Sequence, residues 1–224
     1  MKVSVIIPSA GSGSRFGELK QFKLLNGEPL IIRTIKLFLD LKEVVEVIVV
    51  LPKEQNVFLN KYIKNNLYQK KIKVVAGGEK RQDSILNGLK IVCDKSQLIC
   101  IHDAVRPFVS RELIINCFKK CKNFDGAILG LRSINTVKYS ENGTINKTID
   151  RRKIWLAQTP QVFHKEKLIF AIKKFKKKEM QITDESILME EAGYSIKLVE
   201  GSVNNIKITF NSDWKLAEYL IKVL

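Results

Sequence analysis

The chain has 224 residues, 45% hydrophobic and 28% charged, which is enough to bury a sizeable core and too apolar for a disordered chain. No run approaches the roughly 18 uninterrupted apolar residues of a membrane-spanning helix, and the N-terminus passes from a few apolar residues into glycines rather than a cleavage site, so the cytoplasm is the expected compartment. A formal net charge of +16, from 39 Lys and Arg against 23 Asp and Glu, suits a polyanionic ligand, but lysine runs such as KKFKKKE (173–179) carry no aromatics in a reading motif, so nucleic acid and membrane are not expected partners.

In chain order, VSVII (3–7) reads as a buried strand and empties into SAGSGSRFGELKQF (9–22), a loop with three glycines and two cations. PLIIRTIKLFLD (29–40) is a predicted helix entered at Pro29, with Ile31, Ile35 and Phe38 on one face. Residues 44–51 and 72–75 are β-branched runs that predict further strands, the second followed by AGGEKRQDS (76–84). A helix over 83–92 has Asp83 as its N-cap candidate. Strand 98–101 leads into HDAVRP (102–107), and Ser110 is placed to cap a helix over 110–121. After a strand at 127–131, residues 134–150 form two short polar alternating runs around Asn142-Gly143. That pattern predicts a hairpin arm whose faces are too polar for a core and which therefore packs on a second subunit. LAQTPQ (156–161) and ITDE (182–185) follow as polar clusters at strand ends, then a strand at 196–199. NIKIT (205–209) is read as a strand with Lys207 on its solvent side, and NSDWKLAEYLIKVL as a capped terminal helix.

Strand alternating with helix predicts an α/β fold: a mostly parallel sheet with helices on both faces, as one domain over 1–224 plus the arm at about 134–150. Ligands in such sheets bind beyond the carboxyl ends of the strands, where the unusual clusters fall. The first loop lacks the Gly-Lys-Ser/Thr ending of a Walker loop, and Gly11, Gly13 and Gly17 are one residue too widely spaced for a dinucleotide fingerprint. What it supplies is free backbone N–H groups with Arg15 and Lys20, which suits the phosphates of a nucleotide. Asp103 is placed to hold a divalent cation or a ribose hydroxyl, or simply to cap a turn. Cys93, Cys100, Cys117 and Cys121 lack a metal-ligand pattern and read as small apolar residues. His102, at a strand end, and His164, opening a helix, have no triad partner at a suggestive spacing.

Taken together, SAGSGSRFGELKQF, AGGEKRQDS, HDAVRP, LAQTPQVF, ITDE and VEGSVNNIKIT resemble, in this order and over essentially the whole chain, the 2-C-methyl-D-erythritol 4-phosphate cytidylyltransferase family. The resemblance implies a Rossmann-like domain whose β-arm completes a homodimer. It also implies a reaction between CTP and the polyol phosphate that releases pyrophosphate in isoprenoid precursor synthesis, with Mg²⁺ or another divalent cation. Carried over by position, Arg15, Lys20 and Lys207 are the catalytic cations, and Ala10, Gly11, Gly78, Glu79, Ser84 and Asp103 bind the nucleotide. Asp103 also holds the metal. Arg106, Thr136, Arg151, Thr159, Lys207 and Thr209 bind the polyol phosphate, Thr136 and Arg151 from the opposite subunit. Two departures are Leu19, where the family often has proline before the loop lysine, and Ser9 in PSAG, where alanine is common. A cytidylyltransferase for ribitol 5-phosphate or another polyol phosphate shares these nucleotide motifs, and a nucleotide- or RNA-binding protein without catalysis is the reading from another class.

Overall fold

The structure is a computed structural model that describes residues 1–11, 13, 16–55, 58–63, 66–175 and 182–224, with only the backbone of Asn60 and Asn66. In chain order the strands are β1 (Val3–Pro8), β2 (Leu24–Leu25), β3 (Glu28–Pro29), β4 (Val44–Leu51), β5 (Ile72–Ala76), β6 (Leu98–Ile101), β7 (Gly126–Arg132), β8 (Val137–Glu141), β9 (Thr144–Ile149), β10 (Trp155–His164) and β11 (Ile196–Glu200). The helices are α1 (Leu30–Leu39), α2 (Phe58–Tyr62), α3 (Asn66–Lys71), α4 (Arg81–Lys90), α5 (Arg111–Lys120), α6 (Lys165–Phe175), α7 (Ser186–Glu191) and α8 (Asn211–Val223).

Seven strands form one sheet in the order β11-β7-β10-β6-β1-β4-β5, in which β10 alone runs antiparallel to its neighbours. The pleat splits each apolar run between two cores. Val3, Val5 and Ile7 of β1, with Val47 and Val49 of β4, face α1 and α5. Ile6, Ile48 and Val50 face α4, α6 and α7. Burial on both faces is why these strands read as hydrophobic stretches, interrupted by a polar side chain only at Ser4 and Glu46. A third cluster joins Phe16, Leu25 and Leu30 to Trp214 and Ala217 of α8 and to Ile208.

Of the two predicted helix caps, one forms as expected and the other does not. The Ser110 hydroxyl accepts from Leu113 N–H at 3.3 Å, as its capping role requires. Asp83 is not the N-cap of α4: that helix begins at Arg81, and the Asp83 carboxylate sits in its first turn, accepting from Lys80 N–H at 3.1 Å. The segment carrying Lys207 is not a regular strand either, although Ile208 N–H donates to Val105 O at 3.0 Å. LAQTPQ lies inside β10 rather than at a strand end, and His164 closes β10 while α6 starts at Lys165.

The 134–150 hairpin forms as β8 and β9 in a sheet of their own, turning through Asn142 and Gly143, both at positive φ. Cys100, Cys117 and Cys121 are buried, and burial pushes the Cys121 thiol up to about 12, so these sulfurs act as small apolar groups. No helix among the described residues is long and apolar enough to cross a membrane.

Candidate active site

The chain runs from β1 outward through β4 to β5 and then returns to β6 on the other side of β1, so the sheet reverses its winding beside β1. At that switch point, beyond the carboxyl ends of the strands, lies a cavity of about 300 Å³. Its wall is built from Ser9, Ala10, Gly11 and Gly13 after β1, Gly78, Glu79 and Ser84 after β5, and Asp103 after β6, with Lys20 and Lys207.

The loops meet because position 77 has no side chain. A Cβ on Gly77 would lie 2.1 Å from the Ala10 Cβ, closer than two carbons can approach. Gly77 N–H donates to Leu51 O at 2.8 Å and Gly78 N–H to the Ser84 hydroxyl at 3.2 Å, which pins the second loop to the sheet and to α4. The first loop is held from beneath by Gln21, whose buried amide donates to Ser9 O and Gly11 O at 3.0 and 3.1 Å. Its neighbour Lys20 is buried, with Nζ 3.4 Å from Thr209 O and 5.5 Å from the centre of the Phe16 ring.

A second cavity of about 170 Å³ adjoins the first and shares Arg81, Asp103 and Lys207 with it. Arg106, Gln158, Thr159, Gln161, Thr183 and Asp184 also line it. The Asp103 carboxylate lies 3.0 Å from Lys207 Nζ and 3.3 Å from Arg106 Nε. Burial alone pushes that carboxyl up, but Lys207, Arg81 and Arg106 outweigh it and hold Asp103 ionised, far below the usual carboxylate range. Arg106 commits a further donor, Nη1, to Asn205 O at 2.7 Å. Asn205 is itself buried and donates to Thr159 O at 2.9 Å, so the segment leading to Lys207 is tied to β10. Arg81 forms a two-pronged ion pair with the buried carboxylate of Glu185, anchoring the start of α4 to the start of α7. His102 is wholly buried, and burial lowers its pKa to about 4, so the ring is neutral at physiological pH.

The structure thus brings together Ala10, Gly11, Lys20, Gly78, Glu79, Ser84, Asp103 and Lys207 on one cavity, and Arg106 and Thr159 on the next. Thr209 lines neither, its hydroxyl bonding Lys207 O. Thr136 and Arg151 are exposed at the base of the hairpin and are not among the residues lining these two cavities. Arg15 lies outside the described residues, as do 176–179 of the lysine run. Sequence reasoning misses Arg81, Gln21 and Asn205. Each stands inside one of the motifs picked out above, but its partner is visible only in the fold.

Residues 3–223 match the family model described as 2-C-methyl-D-erythritol 4-phosphate cytidylyltransferase. The chain belongs to this family. The cytidylyltransferase of Syntrophus aciditrophicus is 38% identical over 99% of this chain and 96% of its own. That of Clostridioides difficile is 37% identical over 98% and 94%. Among solved structures, the 4-diphosphocytidyl-2C-methyl-D-erythritol synthase of Anaerococcus prevotii superposes with a TM-score of 0.86 at 29% identity, covering 99% of this chain and 98% of its own. The cytidylyltransferase of Thermus thermophilus gives 0.82 at 30% identity, covering 99% and 100%. A family that joins two phosphate-bearing substrates fits two cavities with a shared cationic wall.

Within the family's requirements, the donor set fits one kind of metal binding. No cluster of three or more metal-ligating side chains occurs among the described residues. Asp103 offers a single ionised carboxylate to the wall common to both cavities. That suits Mg²⁺, which takes one or two carboxylates and fills its remaining positions with substrate phosphate and water.

Proposed function

We propose a division of labour by which this chain performs its family's reaction, the joining of CTP and 2-C-methyl-D-erythritol 4-phosphate to give 4-diphosphocytidyl-2-C-methyl-D-erythritol and pyrophosphate. The chain is a CTP-dependent nucleotidyltransferase. CTP occupies the larger cavity, its cytosine against Gly78, Glu79 and Ser84 and its phosphates along Ala10 and Gly11. The polyol phosphate occupies the smaller one, beside Arg106 and Thr159. The shared wall of Arg81, Asp103 and Lys207 carries this reading, because it is where an attacking phosphate oxygen would meet the α-phosphorus.

No acid or base is needed from the protein. The polyol phosphate is already anionic at neutral pH, and its oxygen attacks in line as pyrophosphate leaves. The task is to offset repulsion between two anions and to meet the charge that builds on the leaving group. Lys20 and Lys207 do this, joined by Arg15 from the glycine loop, with Thr209 holding Lys20 through its carbonyl. A divalent cation held by Asp103 would add positive charge along the triphosphate. Thr136 and Arg151 reach the polyol phosphate of a second subunit across a homodimer built on the β8–β9 arm, and the enzyme works in the cytoplasm.

The deciding experiment is pyrophosphate release by purified protein given CTP, Mg²⁺ and either methylerythritol phosphate or ribitol phosphate. Release with methylerythritol phosphate and not ribitol phosphate is expected. Release with ribitol phosphate alone would overturn the substrate assignment and keep the transfer chemistry.

A further inference from the structure

We propose that His102 is a positioning residue for Asp103, acting through the hydroxyl of Thr159. The proposal rests on the reading above, in which Asp103 serves the transfer site.

Every polar atom in the arrangement can be followed. His102 sits where β6 ends, on the same side of the strand as Cys100, and packs edge-on against Phe38 of α1 with ring centres 5.1 Å apart. Its Nε2 lies 3.0 Å from Arg106 O, which can only accept, so Nε2 carries the hydrogen. In the neutral ring Nδ1 is then an acceptor, and Thr159 Oγ1 lies 3.1 Å from it. The hydroxyl's one hydrogen is committed to His102, and its oxygen accepts from Asp103 N–H at 3.0 Å.

The imidazole therefore holds both ends of one turn. It fixes the Asp103 amide through Thr159 and the Arg106 carbonyl directly, while the turn closes on itself through Arg106 N–H to Asp103 O at 3.1 Å. An apolar side chain would pack against Phe38 as well, so burial does not account for an imidazole here; the two opposed nitrogens do. With both nitrogens engaged, and the ring absent from the walls of both cavities, His102 is not itself a proton carrier for the reaction. Thr159, expected from sequence to bind substrate, spends its hydroxyl hydrogen inward. What the network delivers is a fixed backbone for a carboxylate that must stay beside Lys207 and Arg106 while phosphates arrive.

The test uses the whole enzyme and two readouts. Wild-type protein is first assayed for pyrophosphate release from CTP and methylerythritol phosphate; no release there defeats the transfer reading itself. Thr159→Val then removes the hydroxyl at constant shape, Thr159→Ser keeps it, and His102→Gln keeps a donor towards Arg106 O while removing the Nδ1 acceptor. The Asp103 amide resonance of the ligand-free protein should move in Thr159→Val and in His102→Gln and return in Thr159→Ser. In the same two variants kcat should fall about tenfold or more with little change in KM for CTP, as loss of supporting contacts does elsewhere. The double variant should be no slower than the slower single one, since both break one chain of bonds. An unmoved Asp103 amide and unchanged kcat in Thr159→Val, or effects that multiply in the double variant, would overturn the proposal. If His102→Gln does not fold, the Thr159 pair decides.

Discussion

At position 77 the distance between two loops is set by a missing methyl group. Gly77→Ala would place a Cβ 2.1 Å from Ala10 Cβ and 3.1 Å from Ser84 Oγ, so the loops after β1 and β5 must separate. CTP affinity measured by calorimetry is expected to fall at least tenfold. Adding Ala10→Gly removes the closer of the two contacts and should restore most of the loss, whereas no recovery would mean that contact between the loops is not what shapes the larger cavity for CTP. Lys20 makes a different claim at the same scale. On the role proposed above, meeting charge that appears only as pyrophosphate departs, Lys20→Ala should lower kcat by about 10²–10³-fold, on the order of 3–4 kcal/mol. The KM for the polyol phosphate should stay close to that of wild type. Steady-state rates with each substrate varied distinguish this from ground-state binding, which would raise KM and leave kcat alone.

Between elements, Glu46 ties four pieces of chain together at the end of the sheet away from the site. Its buried carboxylate, on β4, accepts from Ser4 Oγ of β1 at 2.5 Å, Cys93 N–H at 2.7 Å and Lys73 Nζ of β5 at 2.7 Å, and Ser4 in turn bonds Ser96. Burial pushes this carboxyl up, but the Cys93 amide, Lys73 and Ser4 outweigh it and hold it below the ordinary 4.5. A depressed folded-state value means that the stability it contributes is present above about pH 4.5 and lost as the pH falls through the folded value. Glu46→Gln should therefore cost about 1–2 kcal/mol at pH 7 and flatten the acid side of a stability profile taken by urea unfolding from pH 3 to 7. Two profiles that run parallel across that range would defeat the claim.

This scale also separates what is legible in the sequence from what is hidden there. The runs at 44–51 and 98–101 coincide with β4 and β6, and 3–7, 72–75, 127–131 and 196–199 fall within a residue of the observed strands at each end. Each of these runs is predominantly apolar, and the interruptions at Ser4, Glu46, Lys73 and Lys197 are single residues, too few to blur them. β10 does not read as a strand because Gln158, Thr159, Pro160 and Gln161 break its apolar pattern where it shifts register against β7. Those polar residues are there because β10 passes beneath the second cavity. Glycines and charges at strand ends mark the site, since backbone approach and phosphate binding require those residue types locally. Arg81 stays hidden because its meaning depends on Glu185, 104 residues away, and His102 because its two partners come from its own turn and from β10.

For the whole molecule, the question is what the β8–β9 arm is for. It forms a separate two-stranded sheet and exposes Tyr139 and Ile145, with Ile134 exposed at its base; a lone hairpin of this kind gains order by docking. If the arm serves the partner's site, Lys20 and Arg151 act in the same site from different subunits. Lys20→Ala and Arg151→Ala homodimers should then each be nearly inactive. A randomly reassociated equal mixture behaves differently, because the mixed dimer has one site with both defects and one with neither. Half of the dimers are mixed and half of their sites are intact, so about a quarter of wild-type activity should return. Exchange is checked by pulling down a tag carried by one variant and finding the other with it. Recovery near that fraction requires Arg151 to act across the interface, whereas a mixture that exchanges subunits and stays inactive would place Arg151 in its own subunit's site and leave the arm with an assembly role alone.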